Sequence, residues 1–272
     1  MSVTTSQQIG KYYDLYKQAE VTFNAQVIKA LSLLPKEVHL KCLGKNFPCI
    51  IYSASMLEAR VIANLRAKSF QTIRDANNSV SLRFAFNLPD KKDPLSFFVT
   101  SKITGFNPYS KENPDLHFAT LTYTQRPPDD LIEILGKLLE ANVNARRRKE
   151  FRIVITPQTL KALGLDSRDT TIEIESIPRK CIIRDLSFSG AKVVVMGVAK
   201  FLVDKKAVMH LSFANQNDQV KLPGKVLRFE DVQGRKDIAS LALLFEEDKI
   251  PMSYKMRINE YLKQHRLSLN KQ

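Results

Sequence analysis

The sequence has no tryptophan, only three cysteines and only four histidines among 272 residues. The cysteines are odd in number, and their spacing matches neither a disulfide framework nor a thiolate metal site. We therefore predict small, unpaired core residues at Cys42, Cys49 and Cys181. The histidines form no metal-binding or catalytic motif, which predicts ordinary surface or core roles for His39, His117, His210 and His265.

Long apolar runs and enzyme motifs are also missing. No stretch approaches the roughly 18 apolar residues of a membrane helix, and residues 1–10 are polar where a signal peptide would be apolar. We therefore expect a cytoplasmic protein without a membrane span. Because the chain has no Gly-rich phosphate loop, GxSxG element, HExxH motif or CxxC pair, we expect a protein that is not an enzyme and uses no metal or cofactor.

The length and the charge are informative. A chain of 272 residues is typical of two domains, and a composition with 44% hydrophobic and 26% charged residues is that of a globular protein. The net charge is +14, of which +4 lies in residues 1–140 and +10 in residues 141–272. A basic half of this kind favours an anionic partner: nucleic acid, a nucleotide or an acidic protein surface.

The first half changes from a helical to a strand pattern. Apolar residues at helical spacing from Tyr16 to Leu34, before Pro35, predict one opening amphipathic helix. Alternation with a period of two then predicts strands at Val38–Cys42, Val80–Phe86, Leu95–Ile103 and His117–Thr124. The pattern favours a helix followed by an antiparallel β domain over residues 1–140.

A second helix links the two halves. Pro127 and Pro128 end the last strand, and Asp130 with Glu133 is typical of a capping box at a helix start, with Asp130 as the N-cap. Leu131, Ile134, Leu135, Leu138 and Leu139 form its predicted apolar face, which ends before residues 141–145. We place the domain junction there.

Short strand patterns punctuated by turn residues fill the second half, and they favour a small barrel. They lie at Phe151–Ile155, Thr171–Ile174, Cys181–Arg184, Ala191–Met196, Val208–Phe213, Val220–Phe229 and Ile238–Phe245. After Pro251, the spacing of Tyr254, Ile258 and Leu262 predicts a final helix. The predicted fold is mainly β with helices: two β-barrel domains, residues 1–140 with a leading helix and residues 141–272 with a trailing one.

Two short motifs carry the chemistry of the second half. Residues 146–152, which we call the arginine arm, contain Arg148 and Arg152 in an Arg-x-x-x-Arg spacing, preceded by Arg147. About thirty residues later, Asp185, Ser187 and Gly190 form an Asp-x-Ser-x-x-Gly turn between two strand patterns. Alone, the first motif is compatible with a solvated basic linker and the second with a plain hairpin.

In this order and separation, the two motifs resemble the signature of PilZ domains, bacterial receptors for cyclic di-GMP. The resemblance covers roughly residues 142–265 and implies a cyclic di-GMP site formed by Arg147, Arg148, Arg152, Asp185, Ser187 and Gly190. It also implies that the arginine arm folds over the ligand and reorients the two domains. The N-terminal half resembles the PilZ-associated β domain of flagellar-brake proteins, including spirochaete versions, which implies a role in motility or related signalling.

The residue types suit this ligand independently of the resemblance. An arginine fork donates two hydrogen bonds to the O6/N7 edge of guanine, or clamps a phosphate, or stacks on a purine. The carboxylate of Asp185 accepts hydrogen bonds only, which fits the N–H donors on the opposite guanine edge, and the Ser187 hydroxyl donates or accepts. Gly190 permits a positive φ or a close approach of the backbone to the base.

Two other functions stay open at the level of sequence. The net charge of +14 would give nonspecific affinity for nucleic acid, although the absence of tryptophan and of known reading motifs argues against specific base recognition. The N-terminal β domain is alternatively a module that passes the signal to a downstream protein partner.

Overall fold

The computed structural model describes residues 4–88, 92–147, 151–197, 200–213, 219–232 and 234–269. The chain divides into two compact units, Met1–Leu139 and Glu140–Gln272. Each unit contains a six-stranded β-barrel, which confirms the predicted fold class of two β-barrel domains with helices.

Three helices precede or interrupt the strands of the first unit: α1 (Ser6–Tyr16), α2 (Ala25–Leu31) and α3 (Ala67–Asp75). The prediction of one opening helix is wrong, because the short strand β1 (Val21–Thr22) separates α1 from α2. Asn24 explains the interruption, since its side chain accepts a hydrogen bond from the Val27 amide and starts a new helix. The sequence analysis also missed α3.

The first barrel consists of six antiparallel strands in the order β3-β2-β5-β6-β7-β4, and it closes where β4 pairs with β3. The strands are β2 (His39–Cys42), β3 (Lys45–Ala54), β4 (Glu58–Asn64), β5 (Ser79–Phe86), β6 (Leu95–Pro108) and β7 (Leu116–Tyr123). In β5 the predicted alternation holds, and Val80, Leu82, Phe84 and Phe86 are all buried. The sequence analysis did not identify β3 and β4.

Helix α4 (Asp129–Arg147) is longer than the predicted apolar face. It begins at Asp129, so Asp130 lies inside the helix and is not its N-cap. In the first unit it packs closely on α1, because a Cβ at Gly136 would lie 2.5 Å from the Tyr12 ring. In the second unit the apolar face continues, with Ala141 and Ala145 buried, so the prediction that this face ends before residue 141 is wrong.

The second barrel has the strand order β10-β11-β14-β13-β12-β9 and closes where β9 pairs with β10. Its elements are β8 (Ile153–Val154), α5 (Pro157–Leu163), β9 (Leu165–Ile174), β10 (Ile177–Leu186), β11 (Gly190–Met196), β12 (Lys206–Phe213), β13 (Val220–Val232), β14 (Arg235–Phe245) and α6 (Met252–Leu269). The sequence analysis missed α5, which a Thr156–Thr159 capping box starts and Gly164 ends in the left-handed region.

The final helix, α6, is the predicted trailing helix of the second barrel. Tyr254, Ile258 and Leu262 are buried and belong to the core of this barrel. Within the described part of the chain, no helix is both long enough and apolar enough to cross a membrane.

The cysteines yield a test of this packing. All three are buried and unpaired, as the sequence predicted. Burial raises the pKa of the Cys42 thiol and raises the pKa of Cys49 and Cys181 to about 12. We therefore expect Ellman's reagent at pH 8 to react with none of them in the native protein and with all three after denaturation.

The same thiols predict a loss of stability at high pH. Because the folded thiols hold their protons more tightly than unfolded ones, this loss should begin above the unfolded pKa of about 8.5 and continue towards about pH 12. A Cys181→Ala variant should lose less stability over this range than the wild type. In the labelling experiment, rapid reaction of two or more thiols with Ellman's reagent in the native protein would contradict the burial of the cysteines.

Candidate functional site

Strand β8 places the end of the arginine arm on the outer face of the second barrel. It pairs antiparallel with β10, with Val154 opposite Asp185 and Ile153 opposite Leu186. Ile153 and Leu186 are buried and anchor the pairing in the core. Since side chains alternate along a strand, Arg152 faces outwards with Val154, and it lies beside Asp185.

Arg152 and Asp185 form an ion pair, with Nη1 2.5 Å from Oδ1. The Arg152 side chain is 47% exposed and that of Asp185 is 16% exposed. With its guanidinium nearly half exposed, the pair contributes roughly 1 kcal/mol or less to stability, and a ligand that satisfies the more buried carboxylate can replace it. The structure thus brings together one residue from each of the two predicted motifs.

The turn that follows Asp185 is held by its own hydrogen bonds. The Ser187 amide donates to the Gly190 carbonyl at 2.8 Å, and the Gly190 amide donates to the Ser187 hydroxyl at 3.0 Å. The same hydroxyl donates back to the Gly190 carbonyl at 3.1 Å. Because Ser187 is only 1% exposed, its hydroxyl fixes the turn and does not face the groove described below.

Helix α6 supports this turn through a side chain that is buried in the core. The Tyr254 hydroxyl donates to the Ser187 carbonyl at 2.7 Å, and the residues are 67 positions apart in sequence. Burial raises the pKa of the Tyr254 hydroxyl above its usual range, which keeps the proton available for this bond. The position of the turn therefore depends on α6.

Gly190 is required for packing between strands. A Cβ at this position would lie 2.2 Å from the Leu243 carbonyl oxygen, far inside van der Waals contact. Gly190 is not among the residues with positive φ, so the turn needs no left-handed glycine here. Gly190 allows β11 to lie close to β14. From the sequence we expected instead a positive φ or a close approach of the backbone to a base.

An open groove of about 590 Å³ runs over β8, β10, β11, β14 and β13 next to the ion pair. This volume lies in the range of roughly 300–1,000 Å³ that small-molecule sites occupy. Apolar side chains and charged groups both line it, among them Val154, Ile182, Asp185, Lys192, Glu230 and Ser240. Apolar surface beside charged groups suits a ligand with planar rings and anionic groups.

The other predicted arginines lie at the start of the arm. Arg147 is exposed at the last position of α4. Arg148 lies outside the described residues. The last turns of α4 are held on α6, because the buried Asn144 donates to Asn259 at 2.6 Å and Lys263 donates to Glu140 at 2.8 Å.

Sequence reasoning missed the part of the groove beyond β10. Lys192 lies on β11 two residues after Gly190, so its outward direction could have been read from strand alternation. Glu230 and Ser240 could not have been found in this way. They reach the groove only because β13 and β14 pair next to β11, which no local pattern reveals.

Comparisons with known proteins match both units. The family model of the PilZN3 domain matches residues 7–142, and that of the PilZ domain matches residues 146–264. A curated relative from Treponema denticola, named "Cyclic di-GMP binding protein", is 44% identical over 261 residues. The match covers 96% of this chain and 83% of the relative.

Solved structures show weaker likenesses. The crystal structure of the Borreliella burgdorferi PlzA protein in complex with c-di-GMP has a TM-score of 0.42 and 24% identity, and the match covers 94% of this chain and 98% of that chain. YcgR from Escherichia coli in complex with c-di-GMP has a TM-score of 0.30 and 12% identity, and the match covers 98% of this chain and 95% of that chain.

The packing of Gly190 predicts a large effect of one methyl group. Gly190→Ala should lower the free energy of unfolding by about 1–3 kcal/mol or more, because the clash is with a backbone oxygen of the barrel. Gly10→Ala is the control, since a Cβ there meets nothing within 4 Å and α1 should gain up to about 1 kcal/mol. Chemical denaturation measures both, and a wild-type stability for Gly190→Ala would refute the explanation.

Proposed function

The chain belongs to the PilZ family, as the sequence predicted, and from this premise we propose that it is a cyclic di-GMP receptor whose ligand lies in the groove beside Arg152 and Asp185. The name of the 44% identical relative supports this choice of ligand. We propose a binding and signalling role, without catalysis.

The observation that carries the proposal is the exposed ion pair between the two motifs. Before ligand binds, Arg152 and Asp185 satisfy each other at 2.5 Å. A guanine offers a replacement for each: its O6/N7 edge accepts from the guanidinium, and its N1–H and N2–H groups donate to the carboxylate. A guanine base can therefore take the place of the pair without leaving either charge unsatisfied.

The remaining residues of the proposed site have distinct tasks. Arg147 and Arg148 would reach the ligand's phosphates from the start of the arm, where a guanidinium fork matches a phosphate oxygen pair. Ser187 and Gly190 would act through the turn that they build, which holds Asp185 at the end of β10. This division follows from the burial of Ser187.

We place the switch at residues 141–152, where the end of α4 leads into the arginine arm. Its first end continues from α4, which is fixed on α6 through Asn144 and Asn259, and its last end is fixed by β8 on β10. Closure of the few residues between these anchors over the ligand would fix the last turn of α4 relative to the second barrel and would thereby set the orientation of the two domains. The new orientation would be recognised by a downstream protein partner, with control of motility as the proposed output.

Calorimetric titration with cyclic di-GMP tests the site. We expect selective binding over GTP and cyclic GMP, and losses in affinity of roughly 5- to 150-fold for Arg152→Ala and for Asp185→Ala, since each removes hydrogen bonds to a guanine. Arg66→Ala is a matched control, because it also removes an exposed arginine from an ion pair but lies in the first unit. Equal affinities in all four proteins would place the ligand elsewhere.

Limited trypsin digestion tests the closure of the arm. We expect cyclic di-GMP to slow cleavage after the arginines and the lysine of residues 146–152 by tenfold or more, because a closed arm cannot enter the protease site. The Arg152→Ala variant, at ligand concentrations that saturate it, reports whether this side chain is needed for closure. Unchanged cleavage in the saturated wild type would exclude closure while leaving binding intact.

A further inference from the structure

Lys192 is the immediate cross-strand neighbour of Asp185 on the outer face of the barrel. In the pairing of β10 with β11, Asp185 is opposite Lys192, just past a bulge between Ile183 and Asp185. Directly opposite residues have their Cβ atoms about 4.5–5.5 Å apart. The barrel thus places Asp185 and Lys192 on neighbouring positions of the groove, where the lysine ammonium can reach the position beside the carboxylate.

Glu230 holds Lys192 away from this position. The Lys192 ammonium lies 2.6 Å from a Glu230 carboxylate oxygen, and the hydrogen bond with its charge lowers the pKa of Glu230. The pair spans β14, since Lys192 is opposite Ala242 and Glu230 is opposite Ser240. Both side chains are partly exposed, so the bridge is weak and open to exchange.

Ser240 lies on β14 directly opposite Glu230, and its hydroxyl is unused. The residue is only 8% exposed, and within the described parts of the chain its hydroxyl has no hydrogen-bond partner. A buried hydroxyl without a partner is unfavourable and is uncommon in folded proteins. Its place in the groove, next to a bridge that can open, points to a polar ligand atom as its partner.

We propose that Lys192 is a specificity-determining residue that reads the O6 atom of a guanine whose N1–H and N2–H groups are bound by Asp185. This inference rests on the proposed function and extends it from the two motifs to β11, β14 and β13. The Watson–Crick edge of guanine carries an acceptor next to two donors, which matches an ammonium next to a carboxylate. Adenine carries an amino donor in place of O6, and an ammonium group repels that donor.

Glu230 acts as the competing partner of Lys192 in this scheme. Before binding, the 2.6 Å bridge satisfies the lysine while Arg152 satisfies Asp185. Binding of the base frees Lys192 from Glu230 and Asp185 from Arg152. The movement of Lys192 then makes the Ser240 hydroxyl accessible to the ligand. The site therefore rejects adenine by an unfavourable charge contact as well as selecting guanine by favourable ones.

Competition calorimetry with cyclic di-GMP and cyclic di-AMP tests the assignment in the full-length protein. Lys192→Met should weaken cyclic di-GMP binding by roughly tenfold or more and leave the weak binding of cyclic di-AMP unchanged or improved. Lys192→Gln should narrow the selectivity further, because an amide donates to O6 or accepts from an adenine amino group. Lys192→Arg should retain most of the wild-type selectivity for cyclic di-GMP over cyclic di-AMP. Glu230→Gln should tighten cyclic di-GMP binding by up to about fivefold.

The matched control is Lys221→Met, which removes an exposed lysine from β13 outside the groove and should change neither affinity. An equal loss for both ligands in Lys192→Met would assign the lysine to a phosphate and overturn the proposal. An unchanged affinity of Lys192→Met for cyclic di-GMP would overturn the proposal as well. If wild-type protein does not bind cyclic di-GMP, the proposed function itself fails, so the two failures are distinguishable. Thermal unfolding confirms that each variant is folded.

Discussion

The hydrogen bond from Tyr254 to the Ser187 carbonyl is the interaction on which the geometry of the site depends. It is 2.7 Å long and buried at both ends, so the acceptor cannot turn to water if the donor is removed. It holds the turn after β10, and the turn holds Asp185 at the rim of the groove. The same helix, α6, binds the end of α4 through Asn259. One helix thus positions both the turn after β10 and the start of the arginine arm.

The second barrel contains two kinds of polar contact: buried hydrogen bonds that hold its frame and ion pairs at the groove that a ligand can replace. Buried bonds such as Asn144–Asn259 and Tyr254–Ser187 form the frame, since breaking one leaves a polar group unsatisfied in the interior. The exposed pairs Arg152–Asp185 and Lys192–Glu230 line the groove, and each contributes little to stability. A ligand that replaces these pairs can change contacts at the surface without disturbing the barrel. This is the physical basis for the switch proposed in the arm.

Sequence alone predicted the elements whose patterns are local. Alternation in β5 and helical spacing in α6 reflect burial on one face, and both predictions are confirmed. The opening helix failed because the apolar stripe from Tyr16 to Leu34 runs through β1, where pairing with β3 overrides the helical pattern. Arg152 and Asp185, which the structure brings together, were predicted from their motifs. Lys192, Glu230 and Ser240 were not, because only the pairing of distant strands brings them together.

A crystal structure of the protein with cyclic di-GMP would show whether the ligand replaces the Arg152–Asp185 pair. We predict a guanine in the groove across β8, β10 and β11, with the Arg152–Asp185 bond of 2.5 Å replaced by bonds from both side chains to the ligand. The Tyr254–Ser187 bond should be unchanged. A ligand bound elsewhere, with the Arg152–Asp185 pair intact, would overturn the proposed site.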